Sequence, residues 1–491
     1  MIRRTFLKTL IAGAGASLID PTLVTADPIA KREPAAEPGA RKVVIGGAGI
    51  TGLCCGYELM KAGIDVTILE ASGRYSGHVL TSSDELSDGL YADLGADHIT
   101  RPGYERLFAY AEEFKIPVIP YPNAEGSWLP YNNDDLRMIG GKFYTNKMLA
   151  NPETLASLGF NHREVEFLSK HPWYELQDLY LQPYVAKVAD PYRPFGAGLD
   201  DLDKISITEV YKREGASQAA INYLGDEHTS ALYCIWRVAA MKSRGIPPSE
   251  GEIFRLRGGN EQLPVAFARR LGSRVKLAHP IIGIQQRDKG ISVNYREYGY
   301  EETRTLEADY FVNCISLTVF RNIPVSPPLS PAKQYVVDNL TYTSHPFYVF
   351  EASSKFWLED GLPSINMEFD HPDIDSIWEV PSEVETTRVI LKANGPGGLS
   401  PQRVLAAFRQ VYPGKRDTIV QALTKDWTQD KLAPSCEMEP FPIGEMHQFW
   451  PEILKPEGRI YFAGTYADLL SRGMESCIRS AQRVAQEIRE A

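Results

Sequence analysis

One stretch constrains the fold more than any other: RKVVIGGAGITGLCCGYELMKAGIDVTILEAS, residues 41–72. Val43-Val44-Ile45 reads as a buried strand and runs straight into Gly47-x-Gly49-x-x-Gly52. Leu53 to Lys61 has helical apolar spacing, Ala62-Gly63 stops that helix, and Val66 to Leu69 forms a second strand closed by Glu70. Each glycine has a physical task. Gly47 permits the tight turn, Gly49 lets a pyrophosphate approach the backbone, and Gly52 lets helix and strand pack closely. The helix start, with Ile50 and Thr51, offers unpaired N–H groups to phosphates. Glu70, about 20 residues further on and followed by Ala71, is placed to accept hydrogen bonds from a ribose. A glycine triad alone is often a mere turn; strand, helix, second strand and acid in register predict a dinucleotide site.

No second glycine fingerprint exists for a separate nicotinamide domain, which tilts the choice of dinucleotide toward FAD. The chain opens on MIRRTFLKTL, with Arg3 and Arg4 ahead of Phe6, Leu7 and Lys8, then a short apolar run and Val24-Thr25-Ala26. This resembles the twin-arginine export signal of bacteria. It implies the twin-arginine export machinery as a partner, folding before export, and a periplasmic or secreted location, with residues 1–26 as signal peptide and 27–40 as linker.

The 491 residues, 43% of them hydrophobic, suffice for two to four domains. A formal charge of −11, more negative still without Arg3, Arg4, Lys8 and Asp20, disfavours a nucleic-acid binder. No later segment is apolar for long enough to span a bilayer, so a soluble protein is expected. The six cysteines have no C-x-x-C or zinc spacing and read as mostly free, buried thiols; no metal site is expected. G-x-S-x-G, H-E-x-x-H and P-loop motifs are absent, and DHPDIDSIW lacks the central glycine of a calcium loop.

The next segment, EASGRYSGHV, resembles the R-x-G-G-R motif of the flavin-containing amine oxidase superfamily, which includes monoamine, polyamine and L-amino acid oxidases. Arg74 and Gly77 match, Ser76 replaces a glycine, and His78 replaces the second arginine. The resemblance implies that Arg74 lies along the FAD phosphates or ribose and that His78 offers one hydrogen bond at most. Tyr91 to Ala96, followed by Asp97, is similar to the segment leading to the flavin ring, which puts Gly95, Ala96 and Asp97 near the cofactor. RLRGGNEQLPVAFARRLG resembles the re-entry into the FAD domain, and the hairpin after it, turning at Asp288-Lys289-Gly290, places Ile281 against adenine. GRIYFAGTYADLLSRGMESCIRSAQRVAQEI is the second strong match. It implies that Gly464 and Thr465 approach the pyrophosphate or ribitol. Gly473 and Met474 then open a final helix whose dipole faces the flavin carbonyl.

At the reactive end the chain departs from the family. Counting back from Pro327-Pro328-Leu329 puts Asn322 in the place of a flavin-side lysine, with Arg321 beside it expected on the surface. Of two aromatic positions that sandwich the amine in relatives, one falls on Gly473. The other, about ten residues beyond Trp427, falls on Glu437. Cys436 stands where some relatives attach flavin covalently; non-covalent FAD is expected here. Glu437 is a candidate for binding a cationic substrate or acting as a base of raised pKa. His98 stands near the place of a carboxylate-binding arginine, so an α-amino acid substrate is not supported, and His98 is a candidate for proton transfer. Glu437, His98, Asn322 and Trp427 are thus the catalytic candidates.

The expected fold is α/β. A discontinuous Rossmann-type FAD-binding domain comprises 41–100, 251–316 and 440–491. A mostly helical insert covers 101–250, and a substrate-domain sheet covers 317–439, the substrate domain being interleaved α+β. The expected function is an exported FAD-dependent oxidoreductase acting on a C–H next to nitrogen. Its partners would be a small-molecule substrate and oxygen or another electron acceptor. Two alternatives stay open: a desaturase or double-bond isomerase of apolar substrates, and a flavoprotein with a decayed site. The oligomeric state is equally open, a homodimer among the options.

Overall fold

The computed structural model describes residues 39–120, 134–246, 252–343, 345–434, 437–468 and 473–491. The export signal, most of the linker, Cys436 and Arg472 lie outside the described residues.

The opening strand-turn-helix forms as its pattern predicts. β1 (Lys42–Gly46) buries Val43, Val44 and Ile45, α1 spans Ile50–Lys61, and β2 spans Asp65–Leu69. The close packing is steric: a Cβ on Gly52 would lie 2.0 Å from the Gly47 carbonyl oxygen. β1 and β2 sit inside a five-stranded parallel sheet with Val275–Lys276 outside β2 and with Tyr310–Asn313 and Ile460–Phe462 beyond β1. Parallel strands need crossovers and coverage on both faces. One face is covered by α1, Gln262–Leu271 and the C-terminal helix Gly473–Glu490, whose apolar side chains merge into a single core around Ile45, Phe267 and Ile478.

The hairpin Ile281–Arg287 and Gly290–Arg296 turns where the sequence places it, and extends into a separate four-stranded sheet. A seven-stranded sheet runs Ile419–Asp426, Pro346–Ala352, Val389–Asn394, Ser376–Val380, Met367–Glu368, Leu136–Ile139 and Lys142–Thr145. Its last two strands come from the stretch expected to be mostly helical. Met367–Glu368 pairs in parallel with Leu136–Arg137, a long-range contact that leaves no local periodicity to read. From Asn146 to Ser243 the chain is helical, around a core holding Trp236 and Tyr180. Cys54, Cys55, Cys234, Cys314 and Cys477 are free thiols, as expected.

Candidate active site

The carboxyl ends of β1 and β2 open into a cavity of about 920 Å³ that continues to the start of the C-terminal helix and the face of the seven-stranded sheet. At one end lie Gly47, Gly49, Ile50 and Thr51, with Glu70, Ala71, Arg74 and Gly77 beside them. Gly52 supports the turn from beneath. Glu70 accepts hydrogen bonds from the backbone N–H of Ala48 and Ser72, both at 2.8 Å, and so ties the glycine turn to the end of β2. Arg74 donates to the Gly77 carbonyl at 2.9 Å, bracing its own loop. Ser76, at the position of a glycine in R-x-G-G-R, has a φ of +86°, the left-handed region that favours glycine, and is fully buried.

The middle of the cavity is lined by His78, Gly95, Ala96 and Asp97 from one side, Ile281 from another, and Gly464, Thr465, Gly473 and Met474 from the C-terminal strand and helix. The backbone N–H of Gly464 is already bound to Ser480 Oγ at 3.0 Å. Burial pushes the Cys477 thiol, in the first turns of the helix, up to about 11, so it stays protonated. Glu475, fully buried behind Met474, accepts from the backbone N–H of Leu107 at 3.1 Å and Arg106 at 3.3 Å. It thereby locks the helix Glu105–Glu113 to the C-terminal helix, and burial raises its carboxyl to about 7.

The catalytic candidates fall into different layers. His98 lines the cavity, its Nε2 3.8 Å from Asp97 Oδ2. Asp97 in turn accepts from Lys392 Nζ at 2.7 Å, and Lys392, with no exposed side-chain surface, also donates to the Asp93 carbonyl at 2.7 Å. Burial is the largest influence and would raise the Asp97 carboxyl; the Lys392 ammonium, with His98 and Arg255 adding to it, outweighs burial and holds Asp97 below the ordinary range. Asp93, buried without such a cation of its own and close to Asp97, is raised to about 7. Glu437 is an exposed part of the cavity wall, on a short strand paired with Tyr342–Thr343; its carbonyl accepts from Thr343 Oγ1 at 3.3 Å, while its carboxylate makes no hydrogen bond or ion pair among the described residues. Asn322 also lines the cavity, but it is exposed, and its side-chain amide donates to the Thr318 carbonyl at 3.3 Å. Arg321 is exposed, as expected, and donates to the Leu317 and Leu340 carbonyls. Trp427 does not reach the cavity. It is fully buried one layer back, stacked on His78 with centroids 4.0 Å apart and donating to the Leu94 carbonyl at 2.6 Å.

Sequence reasoning misses the aromatic wall. Tyr104, Tyr342, Phe347 and Trp378 all line the cavity. Gly473, read as a lost aromatic position, has φ +54°, and a Cβ there would meet the Tyr104 hydroxyl at 2.6 Å. The space a side chain would need at 473 is therefore filled by the Tyr104 hydroxyl, from the residue just before the helix Glu105–Glu113. Phe347 and Trp378 sit in the strands Pro346–Ala352 and Ser376–Val380; which face of a strand borders a cavity depends on sheet packing alone.

One cavity thus runs from the glycine turn of a parallel sheet to an aromatic-walled face of a second sheet. A model of the flavin containing amine oxidoreductase family matches residues 50–489, and the chain belongs to that family. The L-amino-acid oxidase of Vipera ammodytes ammodytes is 25% identical over 92% of this chain and 93% of its own length. An L-amino-acid oxidase of Bothrops moojeni is 26% identical, covering 94% and 92%. Among solved structures, a putrescine oxidase bound to putrescine superposes with a TM-score of 0.76 at 18% identity, over 92% of this chain and 99% of that one. Cyclohexylamine oxidase from Brevibacterium oxydans does so at 0.73 and 20%, with the same coverage. The chain is thus an amine or amino-acid oxidase-like flavoenzyme, and the family implies FAD as its cofactor.

Proposed function

We propose that the chain is an exported oxidase of cationic amines that holds FAD non-covalently and takes a hydride from a C–H bond next to nitrogen. The observation that carries this reading is the continuity of one cavity from the glycine turn to Glu437. The cradle fits FAD: a Cβ on Gly47 or Gly52 would meet a backbone carbonyl oxygen at 3.1 or 2.0 Å, a Cβ on Gly49 would meet only Gly77 at 3.9 Å and so leaves the backbone open to a ligand, and the buried His78 Nδ1 on the wall has no protein partner. In this reading the first-turn amides of α1, with Ile50 and Thr51, hold the diphosphate beside Arg74, and Glu70 holds the ribose. The start of the C-terminal helix at Gly473 and Met474 presents its positive end to the flavin carbonyl. The chemistry FAD supplies when bound is acceptance of a hydride, followed by reoxidation by oxygen with release of hydrogen peroxide.

The chain's own side chains favour an amine over an α-amino acid. Arg74 alone among the described lining residues carries a permanent positive charge, and it is tied to Gly77 at the nucleotide end. Among the described lining residues a substrate carboxylate therefore finds no permanent cation beyond Arg74, whereas Glu437 can hold an ammonium group. Tyr104, Phe347 and Trp378 exclude water around it, and His98, backed by Asp97, is placed to move a proton at the substrate nitrogen. The N-terminal arginine pair supports export by the twin-arginine route.

Anaerobic mixing of the purified protein with primary amines tests the reading. Amines, and not α-amino acids, should bleach the flavin band at about 450 nm. Glu437→Gln should raise the amine concentration needed for half-maximal bleaching about tenfold. Bleaching by α-amino acids alone would refute it.

A further inference from the structure

One ring nitrogen on the cavity wall has nothing to bind. His78 Nε2 lies 2.7 Å from the Ala433 carbonyl oxygen. A carbonyl can only accept, so this nitrogen carries the hydrogen and, in the neutral ring, leaves Nδ1 with its lone pair. His78 Nδ1 is buried and has no hydrogen-bond partner. The ring cannot swing to find one: it is stacked on Trp427 at 4.0 Å, and Trp427 is itself anchored to the Leu94 carbonyl. The charged groups around the ring are Arg74 on its own loop, Lys425 on the strand Ile419–Asp426, and Asp430 on the loop beyond. Lys425 and Asp430 neutralise each other at 2.8 Å, and Lys425 also lies over Trp427 at 4.3 Å. No carboxylate is left to hold an imidazolium. Burial pushes the ring down to about 4, which leaves it neutral at physiological pH.

Resting on the reading that this cavity holds FAD, we propose that His78 is a cofactor-binding residue acting as a neutral hydrogen-bond acceptor. Its Nδ1 takes a hydrogen from a hydroxyl or N–H of the cofactor on the flavin side of the diphosphate. His78 lies between Arg74, at the nucleotide end, and Ala96, whose N–H donates to the His78 carbonyl at 3.1 Å, so the group it would meet is a ribityl hydroxyl or a ring N–H, each able to donate, rather than a phosphate oxygen. The position that carries a second arginine in R-x-G-G-R thus changes from cationic donor to uncharged acceptor. The diphosphate is left to Arg74 and the start of α1.

The opposite signs of two substitutions test this on the FAD-loaded protein, reading the FAD dissociation constant from the fluorescence of released FAD. His78→Phe keeps the stack on Trp427 and removes the acceptor, so FAD should bind about tenfold more weakly. His78→Arg supplies a cation and no acceptor and should weaken binding at least as much. Tighter binding by His78→Arg, or unchanged binding by His78→Phe, would overturn the proposal. If either variant fails to fold, nitrogen NMR of histidine-labelled wild-type protein decides. It should show His78 as a neutral Nε2–H ring with a hydrogen-bonded Nδ1 from pH 8 down to about 5; a doubly protonated ring at pH 7 would overturn it. A protein that binds no FAD at all refutes the cofactor reading instead, and the two failures are distinguishable.

Discussion

Replacing Lys392 with methionine removes one ammonium from a site with no solvent. Lys392 Nζ makes two hydrogen bonds of 2.7 Å, to the Asp97 carboxylate and the Asp93 carbonyl, and lies 4.2 Å from the Phe347 ring centroid. Methionine nearly conserves the side-chain volume, so the packing loss is small. What remains is a buried Asp97 carboxylate without its partner, beside Asp93. Breaking a buried pair in this way costs about 3–5 kcal/mol, a large part of the roughly 5–15 kcal/mol that holds a domain together. The bond joins the seven-stranded sheet to the segment Tyr91–His98, so the loss falls on the joint between the two halves of the cavity. Urea unfolding at pH 7, followed by tryptophan fluorescence, should show the midpoint of Lys392→Met falling accordingly. The double variant Lys392→Met/Asp97→Asn strands no carboxylate and should recover about half of the loss. A single variant losing less than about 1 kcal/mol, or a double variant losing the sum of the two singles, would refute the claim that this pair is a desolvated ion pair.

Two further outcomes follow from the same physics. Gly52→Ala forces a Cβ to within 2.0 Å of the Gly47 carbonyl oxygen; the turn must open, costing about 1–3 kcal/mol, and the variant should purify with less bound FAD, measured by flavin absorbance per protein. Glu475 has a carboxyl raised to about 7 by burial, whereas an unfolded glutamate ionises near about 4.3. Between those values the unfolded state binds fewer protons than the folded one, so this group's contribution is complete below about 4.3 and is lost as pH rises through about 7. Glu475→Gln should flatten the fall in thermal midpoint between pH 5 and 8; an unchanged slope would refute the assignment.

The nucleotide half of the site is legible in the sequence because local rules determine it. Strand period, glycine sterics and helix start all act within Val43 to Glu70, and the final helix carries its own periodicity. The substrate half is not legible in the same way. Tyr104, Phe347 and Trp378 come from a helix cap and two strands far apart in the chain, and Lys392 reaches Asp97 across the joint between two sheets. Counting from Pro327-Pro328-Leu329 finds Asn322 on an exposed stretch of wall, and counting from Trp427 finds Glu437, but neither count can show which rings surround them. Trp427 illustrates the difference. Its sequence position marks a segment near the cofactor, while its burial behind His78 makes it a brace.

The central claim is that the cavity between the glycine turn and the C-terminal helix is built for FAD. The most direct test is the FAD content of the purified full-length protein, from its visible spectrum and from the flavin released on denaturation. The account predicts a yellow protein with close to one FAD per chain, released on unfolding without a covalent remnant. A folded, colourless protein that gains no flavin spectrum when FAD is added would contradict it.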